Sequence, residues 1–137
     1  MKNNWDEKLT EDEVVKILSE QLEKEGWEII NQCFGQTKGH DIEAEKNGKT
    51  LIIEAKGAKA NSYSPTKKRD FFDSNQIKSH FGRALVKIMS DLNKNPKNIY
   101  GIAHPDDELI KKTIGNIVPQ LGKLNINHYW VKKDDKI

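Results

Sequence analysis

The chain has 137 residues, enough for one domain with its own core, and its 23 Lys and Arg nearly balance 21 Asp and Glu for a formal net charge of +2. With 35% hydrophobic residues, a mean hydropathy of −0.81 and no apolar run near the ~20 residues of a membrane-spanning helix, the composition excludes a chain that crosses a membrane as a helix. No signal-peptide pattern opens the sequence, so a cytoplasmic protein is expected, and the single cysteine, Cys33, excludes both an internal disulfide and a cysteine-based zinc site.

Thr10-Glu11-Asp12-Glu13 has the Thr-x-x-Glu form of a capping box, with acids in the first turn where the helix dipole favours them. Val14, Val15, Leu18 and Leu22 follow at helical spacing and predict an amphipathic helix ending near Gly26. Trp27 to Phe34 reads as a strand in which Cys33 is a small buried hydrophobe. Residues 35–39 form the turn that follows.

Asn47-Gly48 between two alternating segments is the signature of a two-residue type I′ hairpin, because both central residues need positive φ. That turn fixes a register: Lys46 faces Lys49, Glu45 Thr50, Ala44 Leu51, Glu43 Ile52, Ile42 Ile53, and Asp41 Glu54. Lys56, two residues beyond Glu54, returns to the same face. Ile42, Ala44, Leu51, Ile53 and Ala55 form the opposite, core-facing surface. Two carboxylates and an ammonium therefore converge at the open end of the hairpin. Like charges directly opposed on a sheet destabilise it, and a divalent cation bridging Asp41 and Glu54 is one physical compensation. Gly39 and Gly57 leave backbone room where such a ligand would sit.

From 58 to about 74 the chain is polar and basic, with a proline and little apolar periodicity. Loops of this length are usually functional or disordered, so it either lies across the hairpin end to grip a polyanion or has no specific role. Phe71-Phe72 anchors its end, in the core or in a dimer interface. Gln76 to Met89 has helical period, with Ile77, Phe81, Ala84, Leu85 and Ile88 on one face and Asp73 or Ser74 as the cap. Asn98 to His104 reads as a strand. Pro105-Asp106-Asp107-Glu108 starts a helix with the stripe Leu109, Ile110, Ile114, Ile117, Val118 and Leu121. Ile126 to Val131 is the last strand. His104 and His128, distant from the hairpin in sequence, read as structural. Strands separated by helices imply parallel pairing and the hairpin is antiparallel, so the sheet is expected to be mixed.

Asp41 and the run Glu54-Ala55-Lys56 resemble the motif of the PD-(D/E)XK nuclease superfamily, with closest similarity to small Mrr-type and Holliday-junction-resolvase-like members; His40 stands where the family commonly has Pro. The resemblance implies one domain over 1–137 of restriction-endonuclease-like α/β fold, a mixed central β-sheet flanked by helices in the order α-β-β-β-α-β-α-β. It implies a Mg2+- or Mn2+-dependent nuclease acting on nucleic acid, DNA above all. Asp41, Glu54 and the Ala55 carbonyl would hold the metal, and Lys56 would act on the attacking water or the phosphate. Gln76, on the helix after the motif, would orient Lys56 or the water, and an acid of the first helix, Glu13 or Glu20, would lean into the site. Lys38, Lys59, Lys67, Lys68, Arg69 and Arg83 are the candidate nucleic-acid contacts, since basic groups that neutralise phosphates release counterions. The alternative is a non-catalytic nucleic-acid-binding or assembly module on the same fold, and a homodimer is compatible with either.

Overall fold

In the computed structural model, residues 8–34, 39–61 and 71–133 are described. Helix α1 (Glu11–Lys24) starts at the expected capping box: Thr10 accepts from Glu13 N, and the Glu13 carboxylate accepts from Thr10 N. Three strands follow, β1 (Glu28–Gln32), β2 (Ile42–Lys46) and β3 (Lys49–Ala55), then α2 (Ser74–Lys94), β4 (Ile99–Pro105), α3 (Glu108–Ile114), α4 (Val118–Leu121) and β5 (Ile126–Val131). The five strands form one sheet in sequence order. β2 runs antiparallel to its neighbours β1 and β3, whereas β3, β4 and β5 run parallel, so the sheet is mixed and β3 is the strand where the two patterns meet.

The hairpin has the register that its turn dictates. Asn47 (φ 53°) and Gly48 (φ 80°) take the two positive-φ positions, and the pairs run from Lys46–Lys49 to Ile42–Ile53. The ladder stops one pair short of the expected Asp41–Glu54 partnership. Asp41 precedes β2, and its carboxylate instead takes the N–H of Ala55 at 2.7 Å.

Alternation then sorts the two sides of the sheet. Ile42, Ala44, Leu51, Ile53 and Ala55 pack against Val14, Val15, Leu18 and Leu22 of α1. Ile52, Tyr100, Ile102 and Ile126 pack against Ile77, Phe81, Ala84 and Ile88 of α2 and Ile110 and Ile114 of α3. Each large aliphatic side chain so buried contributes roughly 1.5–3 kcal/mol. Phe72 joins the second cluster, which anchors the end of the basic segment in the core. Glu54 shares its face with Ile52 and therefore points toward α2.

The single helix expected after Pro105 is two. Pro119 has no N–H for the carbonyl four residues back and its ring would strike that carbonyl, so the chain turns after α3 and restarts with Pro119 in the first turn of α4, where a proline is tolerated. Among the described residues, no helix is long and apolar enough to cross a membrane.

Candidate active site at the open end of the hairpin

The main chain of Asp41 is held by β1, through Cys33 N donating to its carbonyl at 2.9 Å. Its side chain is held by β3 through the Ala55 N–H. These two bonds bring the Asp41 carboxylate to the backbone between Glu54 and Lys56. Burial pushes the Asp41 carboxyl up to about 7; the carboxylates of Glu54 and Glu11 add to this, and the Ala55 N–H and Lys56 oppose it. Glu54 is only 5% exposed. Its buried Oε2 is paired with the Lys87 ammonium, 3.1 Å away. The pairing with Glu54 outweighs desolvation and raises the Lys87 pKa.

A third acid comes from the first helix, and it is Glu11 rather than Glu13 or Glu20. The carboxylate of Glu13 is occupied in the capping box. Glu20 lies nine residues beyond Glu11, about 13 Å farther along the helix axis. The first turn of α1 packs directly on the chain leaving β3: Ala58 N donates to Leu9 O at 2.7 Å, and a Cβ on Gly57 would lie 2.4 Å from Glu11 N. The backbone room at Gly57 thus admits a helix start rather than a ligand. Burial raises the Glu11 carboxyl, Lys56 lowers it, and Asp12 and Glu54 raise it further.

Helix α2 roofs the site with one stripe. His80, Lys87 and Asp91 fall on a common helical face. Lys87 pairs with Glu54 and donates to Gly39 O at 3.2 Å, and Asp91 pairs with His40 at 3.0 Å. His40 therefore ties the turn before Asp41 to α2. His80 packs edge-on against Phe72 with ring centroids 4.5 Å apart; burial, then Lys56 and Arg83, lower its pKa.

Other expected site residues stand elsewhere. Gln76 accepts from Asp73 N at 3.0 Å while its own N–H bonds Asp73, so its side-chain carbonyl closes the capping box of α2 rather than orienting Lys56. Lys59 is 5% exposed and bridges Thr10 along the backbone, which removes it from a phosphate-binding surface. Arg83 is exposed on α2. Lys38, Lys67, Lys68 and Arg69 lie outside the described residues.

Among the described residues, no three His, Cys, Asp or Glu side chains are grouped closely enough to hold a metal ion. What the site offers is two buried carboxylates: Glu54, whose Oε2 is paired with the Lys87 ammonium, and Asp41, whose carboxyl burial pushes up to about 7. That donor set fits a hard cation that keeps several waters and takes only one or two carboxylates; it does not fit a metal needing an all-protein cage.

No protein-family model and no curated protein matches the chain. A solved structure of an XisH family protein from Nostoc punctiforme PCC 73102 is similar over 90% of this chain and 94% of its own, with a TM-score of 0.53 and 17% identity. At that identity the likeness is one of fold.

Proposed function

We propose that this protein is a metal-dependent nuclease with a restriction-endonuclease-like PD-(D/E)XK site, hydrolysing phosphodiester bonds in nucleic acid, with DNA the leading candidate. The observation that carries the reading is the meeting of Asp41, Glu54 and Lys56 at the end of β3, with Asp41 fixed on the Ala55 N–H and Glu54 buried.

Asp41 and Glu54 would hold a magnesium or manganese ion, with the Ala55 carbonyl as a further oxygen. Such an ion, when bound, supplies Lewis acidity at the scissile phosphate and a water that ionises near neutral pH. Lys56 places a fixed positive charge where negative charge develops on the phosphate, a role in which a preorganised group acts without reorganising. Glu11 adds negative potential that favours the cation. Arg83 on the exposed side of α2 would meet the nucleic-acid backbone, as would Lys38, Lys67, Lys68 and Arg69.

A second reading has one observation in its favour. Lys87 already neutralises Glu54, as an internal counter-ion would in a nucleic-acid-binding module that cuts nothing.

Calorimetric titration with Mn2+ and Mg2+ separates the two. Ligating carboxylates must be deprotonated, and the Asp41 carboxyl carries its proton below about 7. The expected result is a binding isotherm whose affinity rises between about pH 6 and about pH 8 with proton release, and which vanishes in Asp41→Ala. No binding by the wild type at either pH favours the module.

A further inference from the structure

On the side of Lys56 away from the carboxylates, two histidines far apart in sequence meet on adjacent strands. His104 Nδ1 lies 2.9 Å from His128 Nε2. Their rings stack with centroids 5.1 Å apart and planes at 18°, Trp130 closes on His128 edge-on at 4.5 Å, and Phe81 of α2 lies 5.9 Å from His104. His104 is 1% exposed and His128 is half-buried. Desolvation, with the neighbouring His128, Lys56 and His80 adding to it, pushes His104 down to about 3, and desolvation pushes His128 down to about 4. Both rings are therefore neutral at neutral pH.

One hydrogen bond between two neutral imidazoles leaves one nitrogen on each ring. Those nitrogens, His104 Nε2 and His128 Nδ1, are buried and without a hydrogen bond among the described residues. Only two arrangements exist, because a neutral imidazole carries one N–H and one lone pair. If His104 donates, both rings hold their proton on Nδ1 and His104 Nε2 is a lone pair. If His128 donates, both hold it on Nε2, and His104 presents an N–H to its surroundings.

The sheet register decides between them. Ala55 pairs with Ala103, and Lys56 N donates to Ala103 O at 2.9 Å. Lys56 is thus the cross-strand neighbour of His104, on the same face by alternation. An ammonium has three donors and no acceptor, so a lone pair beside it is favoured and an N–H is opposed.

We propose that the His104–His128 pair positions Lys56: His128 holds His104 as the Nδ1–H tautomer, which leaves the His104 Nε2 lone pair, unbonded as the side chains stand, as an acceptor available to the ammonium of its cross-strand neighbour Lys56. Its consequence for catalysis rests on the nuclease reading. The tautomer does not. His104 and His128 are positioning residues in this account, remote from the reacting atoms and acting through Lys56.

Long-range 1H–15N NMR of the full chain reads the tautomer directly. The expected spectrum has His104 and His128 both protonated on Nδ1, with the His104 Nε2 resonance shifting in Lys56→Met. Protonation of His104 on Nε2 in the wild type, or no shift in Lys56→Met, overturns the proposal whether or not the protein cuts nucleic acid. In the cleavage assay, His104→Phe removes the acceptor and lowers kcat about tenfold at unchanged KM. His104→Gln, whose carbonyl can reach the Nε2 position, stays within about threefold of wild type. Equal losses in the two variants contradict the positioning role. Failure of the nuclease reading shows separately, as absence of metal-dependent cleavage by the wild type.

Discussion

Replacing Glu54 by Ala abolishes metal-dependent cleavage, lowering the rate by about 10^3-fold or more, while the protein stays folded. The expected loss is large because Glu54 is one of two carboxylates that can hold the cation. The fold survives for a different reason. Breaking a buried ion pair is severely destabilising when it strands a charge, but the surviving partner here, Lys87, has a side chain 45% exposed and can turn to water. Removing Glu54 also relieves Asp41, whose carboxyl it helps to push up. Circular dichroism and thermal melting of Glu54→Ala and Glu54→Gln should therefore match wild type closely, with both variants inactive. Cleavage by Glu54→Ala at the wild-type rate would remove the assignment.

Gly57→Ala has the largest expected effect on stability. A methyl group there would lie 2.4 Å from Glu11 N and 2.8 Å from Thr10 C, and both are backbone atoms that no side-chain rotation can clear. The start of α1 must shift, which costs on the order of 3 kcal/mol, as overpacking does in a tight core. For a domain of this size that is a fall in Tm of about 10 °C. The same shift moves Glu11 away from Asp41 and Glu54, so the expected variant is both less stable and altered in its affinity for Mn2+. Gly82→Ala is the control. Gly82 is inside α2 with nothing within 4 Å of an added Cβ, so alanine there should stabilise by roughly 0.5–1 kcal/mol. Melting curves that place Gly57→Ala level with wild type would show that the close approach of α1 to β3 is not as described.

The hairpin was legible because its information is local. Asn47-Gly48 sets the turn, the turn sets the register, and period-2 alternation then assigns Ile42, Ala44, Leu51 and Ile53 to the core and Glu54 to the other face. The capping boxes at Thr10 and Asp73 are likewise written in four residues each. Glu11 was missed because its place depends on a contact between α1 and the chain after β3, and the one local hint was Gly57, whose lack of a side chain was read as room for a ligand. Lys87 was legible in part: it shares a helical face with His80 and Asp91, but which face of α2 roofs the site follows only from packing. Gln76 shows two signals in competition. The family resemblance, which puts a Gln on the helix after the motif, points Gln76 to the site, while Asp73-x-x-Gln76 is a capping box, and the capping geometry prevails. The pairing of His104 with His128 depends on the parallel register of β4 and β5, which no turn specifies.

The most direct test of the account is cleavage of a labelled panel (supercoiled duplex, single strand, four-way junction and RNA) by the wild-type protein, with Mg2+ or Mn2+ and with chelator. The account predicts cutting of at least one DNA substrate that requires the metal and stops with chelator. No cutting of any substrate under conditions where the protein binds nucleic acid would contradict it and make the fold a binding module.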